Sequence, residues 1–288
     1  MTPPHPAPSP PTYWDEIRTS LKETEQRFGR LLCSVPDAAE PATDDWSMAD
    51  TAAHVAIVAW LATSLTVPGG APLPVPGLAE RRRAANVDDI HELNRIALAH
   101  FTERDPEALA RMLDEHVDAV LSATSGRDPE ETVDWIGGAQ VPLCGLLAHL
   151  TNELTLHGYD IARRAGAPWP VDPFVAARFL EQFIIGLTRH GPGDLLAGGG
   201  KPRDRPITVE LHSDHTDPVT LVLADGRVTA EVPGRTPDVR VTCDPTALVM
   251  MLFGMRSRTS VLLSRRVRVG GRRPWLLPVF LRTVRVPS

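Results

Sequence analysis

The 288-residue sequence has little cysteine: Cys33, Cys144 and Cys243 are far apart and form no CxxC pair. This spacing argues against a disulfide framework or a cysteine-built zinc site and leaves the expectation of three small buried hydrophobes. Lysine is almost missing, with only Lys22 and Lys201 against 28 arginines. Uninterrupted apolar runs of about 18 residues are not evident, which argues against a membrane-spanning helix. The opening residues 1–11 have neither the basic nor the apolar region of a secretory leader. A cytoplasmic location with no membrane partner is expected. Two catalytic motifs are also absent. There is no GxSxG, and the glycines before Lys201 lack the strand and spacing of a phosphate-binding loop.

What is present is an ordinary globular composition, 42% hydrophobic and 23% charged, and the length suits two domains. The net charge of −6 argues against a general nucleic-acid binder, but the charge is unevenly spread. Residues 1–170 carry 13 basic and 25 acidic side chains, and residues 171–288 carry 17 and 11. From Arg256 to Arg285 there are nine arginines and no acid. That segment suits docking between domains, an anionic ligand or simply a solvated face.

The pattern along the chain predicts an all-helical first part and a mixed second part. Residues 1–11 are proline-rich and expected to be a disordered tail. Apolar residues recur at helical spacing from Trp14 to Leu32, ending at Pro36. A second helix is expected to start at Ser47, an N-cap, with Asp50 as a first-turn acid. The stretch 68–77 reads as a long loop. Residues 86–124 read as one helix, or two broken at Asp105–Pro106, and 142–165 as the fourth. Together these indicate a helical bundle over 12–168. After Trp169–Pro170 a further helix is expected at 171–190. Glycine-rich breaks then precede strands at 207–212, 219–223, 227–232 and 239–243, with Asp225–Gly226 as a hairpin turn. Helices at 245–255 and 274–283 complete a smaller α+β domain over 169–288.

Two stretches carry chemistry. In Glu153-Leu-Thr-Leu-His157 the two polar side chains are i and i+4, about 40° apart and about 6 Å along a helix, so they can converge on one metal ion. The spacing alone is common, but Leu150, Leu154, Leu156 and Ile161 imply partial burial, and a buried carboxylate needs a partner. In Trp46-Ser-Met-Ala-Asp50-Thr-Ala-Ala-His54, His54 sits among small residues, either as a satisfied core histidine or as a ligand. Two histidines and a carboxylate would leave a fourth position open, as in catalytic zinc sites.

Together these segments resemble the mycothiol-dependent maleylpyruvate isomerase family, through Trp46-Ser-x-x-Asp50-x-x-x-His54, Glu153-x-x-x-His157-Gly-x-Asp160 and Pro168-Trp-Pro170. The resemblance implies a DinB-like four-helix bundle in which His54, Glu153 and His157 bind a divalent metal, usually zinc. The second part is similar, more loosely, to a sterol-carrier-protein-2-like (SCP2-like) domain. The implied activity is metal-assisted activation of mycothiol, a small thiol cosubstrate, to attack a small electrophilic or unsaturated acid. Isomerisation returns the thiol, whereas S-transfer in detoxification or secondary metabolism consumes it. A non-catalytic SCP2-type ligand-binding protein is the further alternative. Asp160 falls in the motif and is expected either to support a ligand or to be a helix-surface acid. His149, one turn before Glu153, is expected to line the pocket, to donate to Glu153 or to serve the core. Trp46 is expected to pack at the mouth of the second helix. The arginines between Arg256 and Arg273 are the best source of a clamp for an anionic substrate, since guanidinium groups bind carboxylates in bidentate fashion.

Overall fold

The computed structural model describes residues 12–191, 205–234 and 236–283. The proline-rich tail 1–11, the glycine breaks within 192–204 and Arg285 lie outside those residues. The architecture is α+β, with a helical N-terminal region followed by a sheet-containing C-terminal domain.

Four long helices build the first region: α1 (Thr12–Ser34), α2 (Met48–Thr66), α5 (Pro106–Ala123) and α6 (Leu143–Ala165). Both α1 and α2 pack against α5 and α6, which makes a four-helix bundle. Its centre is filled by fully buried residues including Leu21, Phe28, Leu109, Leu113, Leu147 and Leu150. The boundaries follow local chemistry. Ser47 caps α2 by accepting from the Asp50 N–H, while the Asp50 carboxylate accepts from the Ser47 N–H. Asp105 caps α5, whose first residue is Pro106. The span 86–124 is therefore two helices, α4 (Ile90–His100) and α5, broken at the expected dipeptide.

α2 departs from the sequence expectation. Its 18-residue window has a mean hydropathy of 1.3, so by length and composition alone it could cross a bilayer. Yet 61% of that window is buried inside the fold. A helix that is apolar all round fits the centre of a soluble core as well as it fits a membrane. Cys33 is a second correction: it is exposed on the last turn of α1, whereas Cys144 and Cys243 are buried. Two small features were not foreseen. α3 (Leu78–Ala84) follows the proline-rich loop, and a short hairpin pairs β1 (Thr132–Asp134) with β2 (Gln140–Pro142) just before α6.

The expected helix at 171–190 is present with mixed geometry: α7 (Pro173–Arg178), a π-helical segment Phe179–Ile185, and α8 (Gly186–His190). It packs along α6. The strands β3 (Ile207–Ser213), β4 (Thr216–Ala224), β5 (Arg227–Glu231), β6 (Val239–Cys243) and β7 (Val267–Gly270) form one sheet in the order β5-β4-β3-β6-β7. Only β3–β6 is parallel. Asp225 (φ 50°) and Gly226 (φ 77°) turn β4 into β5, the left-handed pair a tight hairpin requires. Helix α9 (Pro245–Leu252), capped by Asp244, packs on α7. α10 (Arg258–Leu263) and β7 were not foreseen, and α11 (Leu277–Thr283) ends the described chain.

Candidate metal centre

The bundle brings α2 and α6 side by side, so that His54 from one faces Glu153 and His157 from the other. Glu153 Oε2 lies 3.3 Å from His54 Nε2 and 3.4 Å from His157 Nε2. One donor atom from each of the three residues lies within 4.8 Å of the others. His54 is buried, and the side chains of Glu153 and His157 are 15% and 18% exposed.

These distances suit a single ion. A zinc ion with bonds of about 2.0–2.1 Å to nitrogen and oxygen has tetrahedral edges of roughly 3.3 Å. The Glu153–His54 and Glu153–His157 separations match such edges. The two-nitrogen, one-oxygen donor set is itself zinc-like. The Nε2 atoms of His54 and His157 are the ones that face Glu153 Oε2, and their Nδ1 atoms are buried without a hydrogen-bond partner among the described residues. The residues present thus fit a divalent metal.

The electrostatics are those of an acid packed among bases. Burial pushes the Glu153 carboxyl up, but hydrogen bonds from His157 and His54 and the nearby His149 outweigh it and hold the group well below the usual carboxylate range. Burial pulls His157 down, yet Asp160 and Glu153 raise it to about 9. Burial dominates at His54 and His149 and lowers both.

The surrounding residues close the cluster. The Trp46 ring lies 4.9 Å from the His54 ring and 6.1 Å from the His157 ring, so it roofs both imidazoles rather than merely packing at the helix mouth. Asp160 Oδ2 lies 3.8 Å from His157 Nδ1, ion-pair range and longer than a hydrogen bond. Asp50 does not reach the cluster; it caps α2 and pairs with Arg104 at 2.7 Å. His149 Nε2 lies 3.4 Å from the other carboxylate oxygen, Glu153 Oε1. The His149 ring is surrounded by Trp135, Phe179 and Phe183, which come from other segments and share no local sequence pattern with it.

Gly158 follows His157 for a steric reason. A Cβ there would fall 2.1 Å from the Trp169 ring, which lies across it and donates from Nε1 to the Thr155 carbonyl at 2.8 Å. The Pro168-Trp-Pro170 segment thereby closes back on α6.

Among the described residues, no ion pair joins the arginines between Arg256 and Arg273 to Glu153. Arg256 and Arg266 line a cavity of about 280 Å³ together with Tyr159, Trp169, Asp244 and Thr246. Tyr159 is two residues on from His157 and so faces another side of α6. Arg272 and Arg273 instead approach Asp238 at 3.6 and 3.8 Å, and Arg266 approaches Asp244 at 3.8 Å.

A sequence model described as the mycothiol maleylpyruvate isomerase N-terminal domain matches residues 10–162, more than half of the chain and all four bundle helices up to Ala162. The chain belongs to this family. Among solved structures, a mycothiol-dependent maleylpyruvate isomerase is similar at 17% identity, with 89% of this chain and 92% of that one covered and a TM-score of 0.45. A histidine-to-alanine mutant of a mycothiol-dependent maleylpyruvate isomerase is similar at 18% identity over the same shares, with a TM-score of 0.48. No curated protein matches.

Proposed function

We propose that this member of the mycothiol maleylpyruvate isomerase family is a thiol-dependent metalloenzyme. His54, Glu153 and His157 hold one divalent ion, zinc by donor chemistry. Mycothiol is the thiol cosubstrate, and a small anionic acid with an electrophilic or unsaturated carbon is the substrate. In this reading residues 12–168 carry the metal, and residues 169–288, SCP2-like in organisation, supply contacts to the substrate. The observation that carries the reading is the convergence of three donor atoms from two helices within 4.8 Å, with the two Glu153–histidine separations, 3.3 and 3.4 Å, at the edge length of a tetrahedral zinc site.

When bound, such an ion offers an open position at which a thiol loses its proton near neutral pH. The chain's own residues do the rest. Glu153 brings the one negative charge that offsets part of the ion's charge. His54 and His157 present Nε2 lone pairs from opposite helices. Trp46 packs its ring beside both imidazoles. Asp160 puts a carboxylate in ion-pair range of His157 Nδ1, the ring nitrogen that does not face Glu153.

The test is to load the protein with zinc, add mycothiol and a panel of small electrophilic or unsaturated acids, and follow product and free thiol together. The reading expects turnover that requires both metal and thiol. Thiol returned at the end marks an isomerase, and thiol consumed in step with product marks an S-transferase. Turnover unaffected by chelation, or none with any acid by a zinc-loaded protein, overturns it.

A further inference from the structure

We infer that His149 is the positioning residue for Glu153. Its Nε2 takes up Oε1 and so leaves Oε2 turned toward His54 and His157, and its ring is held by aromatic residues that lie largely beyond the family-matched segment. This rests on the metal reading above.

The two oxygens of Glu153 have different neighbours. Oε2 faces Nε2 of His54 at 3.3 Å and of His157 at 3.4 Å, while Oε1 faces Nε2 of His149 at 3.4 Å. His149 is not one of the three residues whose donor atoms converge, so it serves the carboxylate and not the ion. Its other nitrogen, Nδ1, is buried with no hydrogen-bond partner among the described residues. A carboxylate oxygen can only accept, and a bare lone pair facing it would repel. The proton of the imidazole therefore belongs on Nε2. At 3.4 Å the contact is long for a hydrogen bond and lies within ion-pair range.

The ring is fixed by an aromatic box. Trp135 meets it edge-on at 5.1 Å, Phe183 lies at 4.4 Å and Phe179 at 6.4 Å. Phe179 and Phe183 stack on each other at 5.4 Å, and Phe179 also touches Phe253, which follows α9, at 5.8 Å. Both phenylalanines sit on the π-helical segment 179–185, and π turns inside α-helices often mark functional positions. Gly145 lets that segment come close, since a Cβ there would fall 2.4 Å from the Gln182 carbonyl oxygen. One helical turn later on the same helix stands His149. A chain of ring contacts thus links the C-terminal domain to a candidate metal ligand. The family match ends at residue 162, so Phe179, Phe183 and Phe253 lie outside it.

The experiment titrates zinc into metal-free protein against a competing chelator for the wild type and for His149→Leu, His149→Gln and Phe183→Leu. Loss of a group that supports a metal ligand costs typically about 10–100-fold in affinity, and His149→Leu is expected in that range. His149→Gln keeps an N–H donor and is expected to restore affinity to within about threefold of wild type, and Phe183→Leu to lose severalfold without touching a donor atom. A His149→Leu protein that binds zinc as tightly as wild type overturns the inference. If that variant does not fold, the Phe183→Leu and His149→Gln pair decides the same question. A second readout needs no metal: nitrogen-15 NMR of the metal-free imidazoles is expected to find the His149 proton on Nε2, and a proton on Nδ1 alone overturns the inference. If wild-type protein binds no divalent ion at all, the metalloenzyme reading falls, and the NMR measurement still decides how His149 meets Glu153.

Discussion

His54 and Glu153 stand 99 residues apart in sequence, and their side chains meet at 3.3 Å across the seam between α2 and α6. The separation and the burial give this contact its meaning. A buried carboxylate is costly unless it is paired, and a cation bound between Glu153, His54 and His157 would satisfy those three groups at once. Glu153→Gln keeps the shape and removes the charge. It is expected to weaken zinc binding by more than the roughly 100-fold upper range seen for supporting residues, because a ligand itself is lost. Chelator competition on the folded variant measures this.

Metal should also stabilise the fold. An ion that binds only the native state adds about 2.7 kcal/mol to the unfolding free energy at a free concentration 100 times its Kd. Thermal or urea unfolding with and without zinc is expected to show that gain for wild type and none for His54→Ala. Stripping the metal with a chelator is expected to reverse it.

Gly158→Ala tests the packing beside the cluster. The added Cβ would fall 2.1 Å from the Trp169 ring, and neither α6 nor the buried indole can move freely. A destabilisation at or above the usual 1–3 kcal/mol for overpacking, about 3 kcal/mol, is expected in urea unfolding. Trp169→Ala in the same background should recover part of it by making room.

Much of this was legible in the sequence, for identifiable reasons. The bundle helices announce themselves through apolar spacing, caps and prolines, as at Ser47 and Asp105–Pro106. The β4–β5 hairpin follows from Asp225–Gly226. Glu153 and His157 are paired by i,i+4 spacing, a local but common signal, and His54 joins them only through the resemblance to the family motif. What was hidden depends on distant chain segments. The aromatic surroundings of His149 come from Trp135, Phe179 and Phe183, and no local pattern joins them. The exposure of Cys33 depends on which side of α1 the neighbouring helices cover. β7 is four residues long and set among arginines, too short for alternation to register. The arginine-rich segment gave charge but not direction, and the structure sends Arg272 and Arg273 toward Asp238.

Asp50 supplies a pH-dependent prediction. Burial works to raise its carboxyl, but hydrogen bonds from Ser47 and Arg104 lower it below the ordinary value. A group depressed in the folded state stabilises the fold above its unfolded pKa, about 3.9, and loses that contribution as pH falls through the folded value. Asp50→Ala removes the carboxylate half of the capping box and the pair with Arg104, and is therefore expected to cost on the order of 1 kcal/mol at neutral pH. The gap to wild type should narrow in acid below about pH 4. Paired unfolding curves at pH 7 and pH 3 check both the size and the sign.

The most direct test is the metal content of purified, well-folded protein, measured for wild type and for His54→Ala side by side. The account predicts one divalent ion per wild-type chain, zinc in preference to others, and its loss in the variant with the helical fold intact. A well-folded wild-type protein without stoichiometric metal, or a His54→Ala variant that keeps full occupancy, would contradict it.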